Sequence, residues 1–215
     1  MIPVTSLTES GSRRARTLPS GWPVRRTPRW VLLAIAALVA IAVAVSLVHK
    51  PSQGQRASDL RGFLHEVTAD IESCAGGVGE SLTALRQIQS GQAGNPADVS
   101  DGISVAQQGS ANCSPANNEQ IDNLESYQVP QSLYSFGLKD AVTGLVTWAA
   151  PDAQRVQDDV AAVLGATTPQ AKTLAQAALS RDVATLDAQR ATIEAPITRA
   201  IRTLAVTAAP PALPG

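Results

Sequence analysis

Two cysteines, two histidines and a few adjacent acids are the side chains whose types and spacing suggest chemistry in this chain. Cys74 and Cys113 offer a disulfide, a pair of buried reduced thiols or a nucleophile, depending on what surrounds them. His65 stands beside Glu66, with Asp70 and Glu72 nearby, so a metal site can be drawn around it. Glu66 and Asp70 at positions i and i+4 are equally the solvated face of a helix, and the Glu-x-x-His pairs of di-iron bundles do not occur. Asp158-Asp159 reads the same way, and Asn112-Cys113-Ser114 matches a glycosylation sequon in form only. The sequence contains no G-x-S-x-G elbow, phosphate loop or paired-cysteine zinc motif. The expectation is a protein without cofactor, metal or catalytic site.

The cysteines gain meaning from the elements that carry them. Leu60, Leu64, Val67, Ile71, Cys74 and Val78 follow one another at spacings of four and three, and Leu82, Leu85 and Ile88 roughly continue the row. That period keeps one face of a helix apolar and predicts a helix over 58–89, with Ser58 as its cap. Gly76, Gly77 and Gly79 weaken its middle and permit either a bend or the close approach of a neighbour. Asn95-Pro96-Ala97-Asp98 is a helix start, and Val99, Ile103, Ala106, Ser110 and Cys113 again alternate four and three. Folded back about the turn at 90–95, Cys74 and Cys113 reach heights of about 24 and 27 Å above it. They should meet in a disulfide, closing a loop that stabilises by roughly 4 kcal/mol in the chain-entropy model.

Residues 114–130 read as either a short helical piece carrying Ile121 and Leu124 or an ordered loop. A third helix is expected over 131–164, with Leu138, Val142, Leu145, Ala149, Val156, Val160 and Leu164 on one face. Pro151 should kink or split it, with Trp148 near the core or at a groove beside the kink. Gly165 stops that helix and Thr168-Pro169 starts the last one, on which Leu179, Val183, Leu186, Arg190, Ile193, Ile197, Ala200 and Leu204 keep the spacing. Arg190 in an apolar slot suggests a stem packed on the core with its guanidinium reaching out, or an ion pair with a neighbouring acid. Pro196 predicts a bend, and 207–215 a disordered tail.

This helical domain hangs from one apolar run. Residues 30–48, WVLLAIAALVAIAVAVSLV, hold no charge and predict a transmembrane helix bounded by Trp30 and Val48. The run is longer than the apolar core of a signal peptide, so a retained anchor is expected although Ala42-x-Ala44 resembles a cleavage site. Arg13, Arg14, Arg16, Arg25, Arg26 and Arg29 precede it against a single acid, Glu9. The first 29 residues thus carry a side-chain charge of about +5 and the rest about −6. The positive-inside rule places 1–29 in the cytoplasm as a disordered basic segment, and the domain outside the plasma membrane.

The expected fold is therefore all-α: a single N-terminal transmembrane helix, a joint over 49–57, and an extracytoplasmic antiparallel four-helix bundle with kinked helices over 58–206. An acidic outer domain argues against nucleic acid as a partner. The Ala- and Arg-rich composition points to a bacterial envelope. The partners expected are the lipid bilayer and an envelope or membrane protein, with the oligomeric state left open. The function expected is a non-enzymatic interaction or scaffold module. The alternative is a small-ligand site in the bundle, opened by Gly76–Gly79, Pro151 and Pro196.

Overall fold

A computed structural model describes residues 35–39 and 51–214, in two units that divide after Lys50. In the first unit residues 35–39 are helical, with Ile35, Leu38 and Val39 exposed. The rest of the expected span, including Trp30 and Val48, lies outside the described residues, as do Arg13, Arg14, Arg16, Arg25, Arg26 and Arg29. Among the described residues no helix is long and apolar enough to cross a membrane.

The second unit is all-helical among its described residues. Helix α1, Gln53–Gln89, starts on Ser52, whose Oγ accepts from the Gln55 N–H at 3.1 Å. The helix therefore begins six residues before the expected cap and absorbs most of the expected joint, because Ser52 satisfies an orphan N–H that Ser58 would reach only a turn later. The expected stripe from Leu60 to Val78 is buried throughout. Helix α2, Pro96–Asn112, opens with a capping box: the Asp98 N–H donates to Asn95 Oδ1 at 2.9 Å and the Asn95 N–H to Asp98 Oδ2 at 3.2 Å.

The face that α2 buries differs from the expected one. Gly102, Ala106, Gly109 and Cys113 are buried, while Val99, Ile103 and Ser110 are only half-buried. The cause is distance. A Cβ on Gly77 would stand 2.8 Å from the Cα of Gly109, so α1 and α2 cross with backbones nearly touching, and small residues must face the contact. The glycine patch thus serves close approach at Gly77; a Cβ at Gly76 or Gly79 would meet nothing within 4 Å.

Helix α3, Glu119–Ser126, resolves the open stretch as a helix, capped by Asn118 and anchored by fully buried Ile121 and Leu124. The helix expected over 131–164 is split at Pro151, one of the two outcomes expected there, and its first part is divided again at Gly137. A 3-10 turn, Gln131–Phe136, ends at Gly137 with φ +76°, a conformation that glycine adopts without strain. Helix α4, Leu138–Thr147, follows, then a wide turn, Trp148–Ala153, in which Ala150 leaves helical geometry before Pro151. Helix α5, Gln154–Gly165, completes the set. Proline lacks an N–H and pushes its predecessor out of the helical region, which accounts for the break at Ala150. Trp148 is fully buried there, in the core.

Helix α6, Pro169–Leu204, starts on Thr168, whose Oγ1 accepts from the Ala171 N–H at 3.2 Å, and runs without interruption through Pro196. It packs along α4 and α5, while α5 packs on α2. One apolar cluster joins all of these helices. The segment beyond α6 differs from the expected disordered tail: Val206, Pro211 and Leu213 are buried, and the Arg190 Nη1–H donates to the Leu213 carbonyl at 3.3 Å.

The glycine geometry makes a contrast of substitutions. Gly77→Ala places a methyl against backbone and is expected to cost about 1–3 kcal/mol, whereas Gly79→Ala meets open space and is expected to gain about 1 kcal/mol of helix propensity. Urea melts of the two variants followed by circular dichroism check this, and equal shifts for both would contradict the close crossing.

Candidate functional site

The two sulfurs expected to meet do so: Cys74 and Cys113 stand at disulfide distance, 2.02 Å, with Cα atoms 4.6 Å apart. Both cysteines are fully buried beside the Gly77–Gly109 crossing. Gln157 of α5 enters the same point, also fully buried. Its Nε2 donates to Cys113 Sγ at 3.1 Å, and its Oε1 lies where a Cβ on Gly109 would be, without a hydrogen-bond partner. Three helices therefore meet at one bridge, two glycines and one amide. A signal for Gln157 was present in the sequence: it falls on the row Ala153, Gln157, Val160 and Leu164, a polar residue in an apolar slot.

His65, Glu66 and Asp70 line a surface depression with Tyr127. Burial first, and the Glu66 charge second, push the Asp70 carboxyl above its ordinary range. The Tyr127 phenol is pushed up as well, by burial and then by Glu66 and Asp70. Among the described residues no group of three or more His, Cys, Asp and Glu side chains is placed to hold a metal ion. Asp158-Asp159 is less bland than expected. Asp159 Oδ2 is buried without a partner, and burial, followed by the nearby Asp182 carboxylate, raises its proton affinity against the lowering effect of Arg181.

A more apolar concavity lies elsewhere, between α4 and α6. It is a groove of about 500 Å³, floored by Ala141, Gly144 and Ile193 and walled by Thr143, Thr147, Thr185, Ala188, Thr192 and Pro196. Gly144 lets the helices approach: a Cβ there would stand 2.8 Å from Ile193 Cγ1. All four threonine hydroxyls donate to their own helix, Thr143 to the Lys139 carbonyl, Thr147 to that of Thr143, Thr185 to that of Arg181 and Thr192 to that of Ala188, at 3.1–3.2 Å. Spent in this way, they offer no donor to the groove and present their methyl groups; Asp140 and Gln189 are the other polar residues that line it. At one end Gln189 Nε2 and the Arg155 guanidinium both bond the buried Asp152 carboxylate, which neutralises the one acid drawn under the wide turn. Of the residues expected to open a pocket, Pro196 lines this groove and Gly76 lines a second one between α1 and α6; Pro151 lines neither.

The fold and these features define an all-helical, disulfide-bridged module with an apolar inter-helix groove. Compared with protein-family models, curated proteins and solved structures, the chain matches none.

Two outcomes follow from this geometry. Replacing Cys74 and Cys113 by Ala should lower unfolding free energy by roughly 4 kcal/mol, and denatured, unreduced protein should show no titratable thiol. A group whose folded proton affinity is raised contributes stability below the ordinary carboxylate range and loses it as pH rises through its folded pKa. Asp159→Asn is therefore expected to raise the melting temperature at neutral pH, with the gain shrinking toward about pH 4; thermal melts across that interval check the sign.

Proposed function

We propose that the chain is a non-enzymatic docking module of a bacterial envelope, tethered to the plasma membrane by a transmembrane helix over 30–48 with residues 1–29 in the cytoplasm. In this reading the outer domain is an antiparallel four-helix bundle, its third limb broken between α4 and α5. The single observation that carries the reading is the groove between α4 and α6. It is largely apolar, open to solvent, and set on a body whose core is filled by aliphatic and aromatic side chains. An apolar strip whose hydroxyls are already satisfied gains by covering and offers little to a polar substrate. The ridge spacing of Thr185, Ala188, Thr192 and Pro196 suits an apolar helix of a membrane or envelope protein laid along it.

A second reading rests on size. A groove of about 500 Å³ falls within the range of small-molecule sites, and its methyl lining suits an aliphatic ligand. The two readings separate in one experiment. A photoreactive amino acid at exposed Thr147 is activated in intact membranes, with and without Ala188→Trp, which fills the groove from an exposed position. A protein adduct that falls at least about tenfold in the Trp variant supports docking. A lipid or small-molecule adduct that falls likewise supports the second reading, and adducts unaffected by the Trp remove the groove from both.

A further inference from the structure

The groove between α1 and α6 already holds an occupant, the chain's own tail. Ile71, Ala75 and Gly76 of α1 and Arg190 and Glu194 of α6 line a depression of about 700 Å³ together with Ala212, Leu213 and Pro214. Leu213 is buried and belongs to the common apolar cluster. Residues 206–214 have no regular structure, and Pro210, Pro211 and Pro214 hold the backbone out of a helix. Among the described residues two hydrogen bonds join this segment to the body, from the Val206 N–H to the Ile201 carbonyl at 3.1 Å and from Arg190 Nη1 to the Leu213 carbonyl at 3.3 Å. Arg190 is held for that contact by Asp187 Oδ1, 2.8 Å from its Nη2. The apolar slot on α6 thus carries an arginine because its guanidinium receives a backbone carbonyl.

The segment is held mainly by the burial of Val206, Pro211 and Leu213, and the groove beside it is only partly filled. Beside the tail the open volume is bordered by Glu72 and Glu194, neither of which has a cation within ion-pair distance among the described residues. We infer that this groove is a peptide-binding site for an irregular, proline-bearing apolar segment with adjoining basic residues, supplied by a partner protein, and that residues 206–214 occupy it as an intramolecular competitor. Leucine and proline fill the apolar end, Arg190 takes a carbonyl, and Glu72 and Glu194 meet the basic side chains. This site is separate from the face between α4 and α6, and either stands without the other.

The test uses the full chain in detergent or nanodiscs and a biotinylated peptide, TAAPPALPRR, whose leucine is photoreactive, with TAAPPALPEE as its acidic counterpart. Leu213→Asp expels the tail. Because a cis competitor acts at a high effective concentration, labelling of Leu213→Asp by the basic peptide should exceed that of the unaltered chain by about fivefold or more. The adducts should map to Thr68–Gly76 and Arg190–Glu194, and the acidic peptide should label weakly. Equal labelling of both proteins, labelling elsewhere, equal labelling by both peptides, or no labelling of the variant would overturn the proposal. If Leu213→Asp does not fold, the comparison passes to Leu213→Ala. Loss of the cooperative helical melt in both would make the tail a part of the core and overturn it as well.

Discussion

Backbone contact between Gly77 and Gly109 is the constraint from which the helical domain is built. With no side chain on either residue, α1 and α2 approach closely enough for Cys74 and Cys113 to bridge with Cα atoms 4.6 Å apart. The same absence leaves a slot that Gln157 fills from α5, so the third helix docks at the first crossing. Each element of this node depends on the others. A Cβ at either glycine would part the helices or expel the amide, and an expelled amide would leave the sulfurs facing a void. The unpartnered Oε1 of Gln157 is tolerable because it rests on the Cα of Gly109, where a weak C–H contact is available.

Small residues recur at the other inter-helix contact that shapes the surface. Gly144 brings α4 against Ile193 of α6, and above that contact alanine and threonine leave the groove unfilled. Large side chains there would have closed it, as Leu138, Leu145 and Leu186 close the core around it. The break at Ala150 separates α4 from α5; both lie along α6, and α5 packs on α2 as well. The proline is the feature that re-aims the chain between the two helices.

Beyond α6 the backbone turns at Ala205, with φ +50°, and returns along the bundle. Alanine at a left-handed position costs some strain, which burial of Val206, Pro211 and Leu213 offsets. The composition of this segment, rich in alanine and proline, reads as disorder because proline and small residues bury little area apiece. It is ordered here because Val206, Pro211 and Leu213 are buried, and because the Val206 N–H and the Leu213 carbonyl find partners in Ile201 and Arg190.

Much of this was legible in the residues themselves. Periodicity of three and four located α1, α2 and α6, since that spacing is a property of one helix alone. Caps such as Asn95 and Thr168 act within a few residues, and the pairing of Cys74 with Cys113 followed from equal distances about a short turn. Only the tertiary structure decided which face of α2 is buried, where Gln157 points, that the third limb is split and not merely kinked at Pro151 and divides again at Gly137, and that the tail is held. Each of these turns on how near two helices come. That distance is set by the smallest residues at the contact, and a hydrophobic pattern, blind to glycine, does not record it.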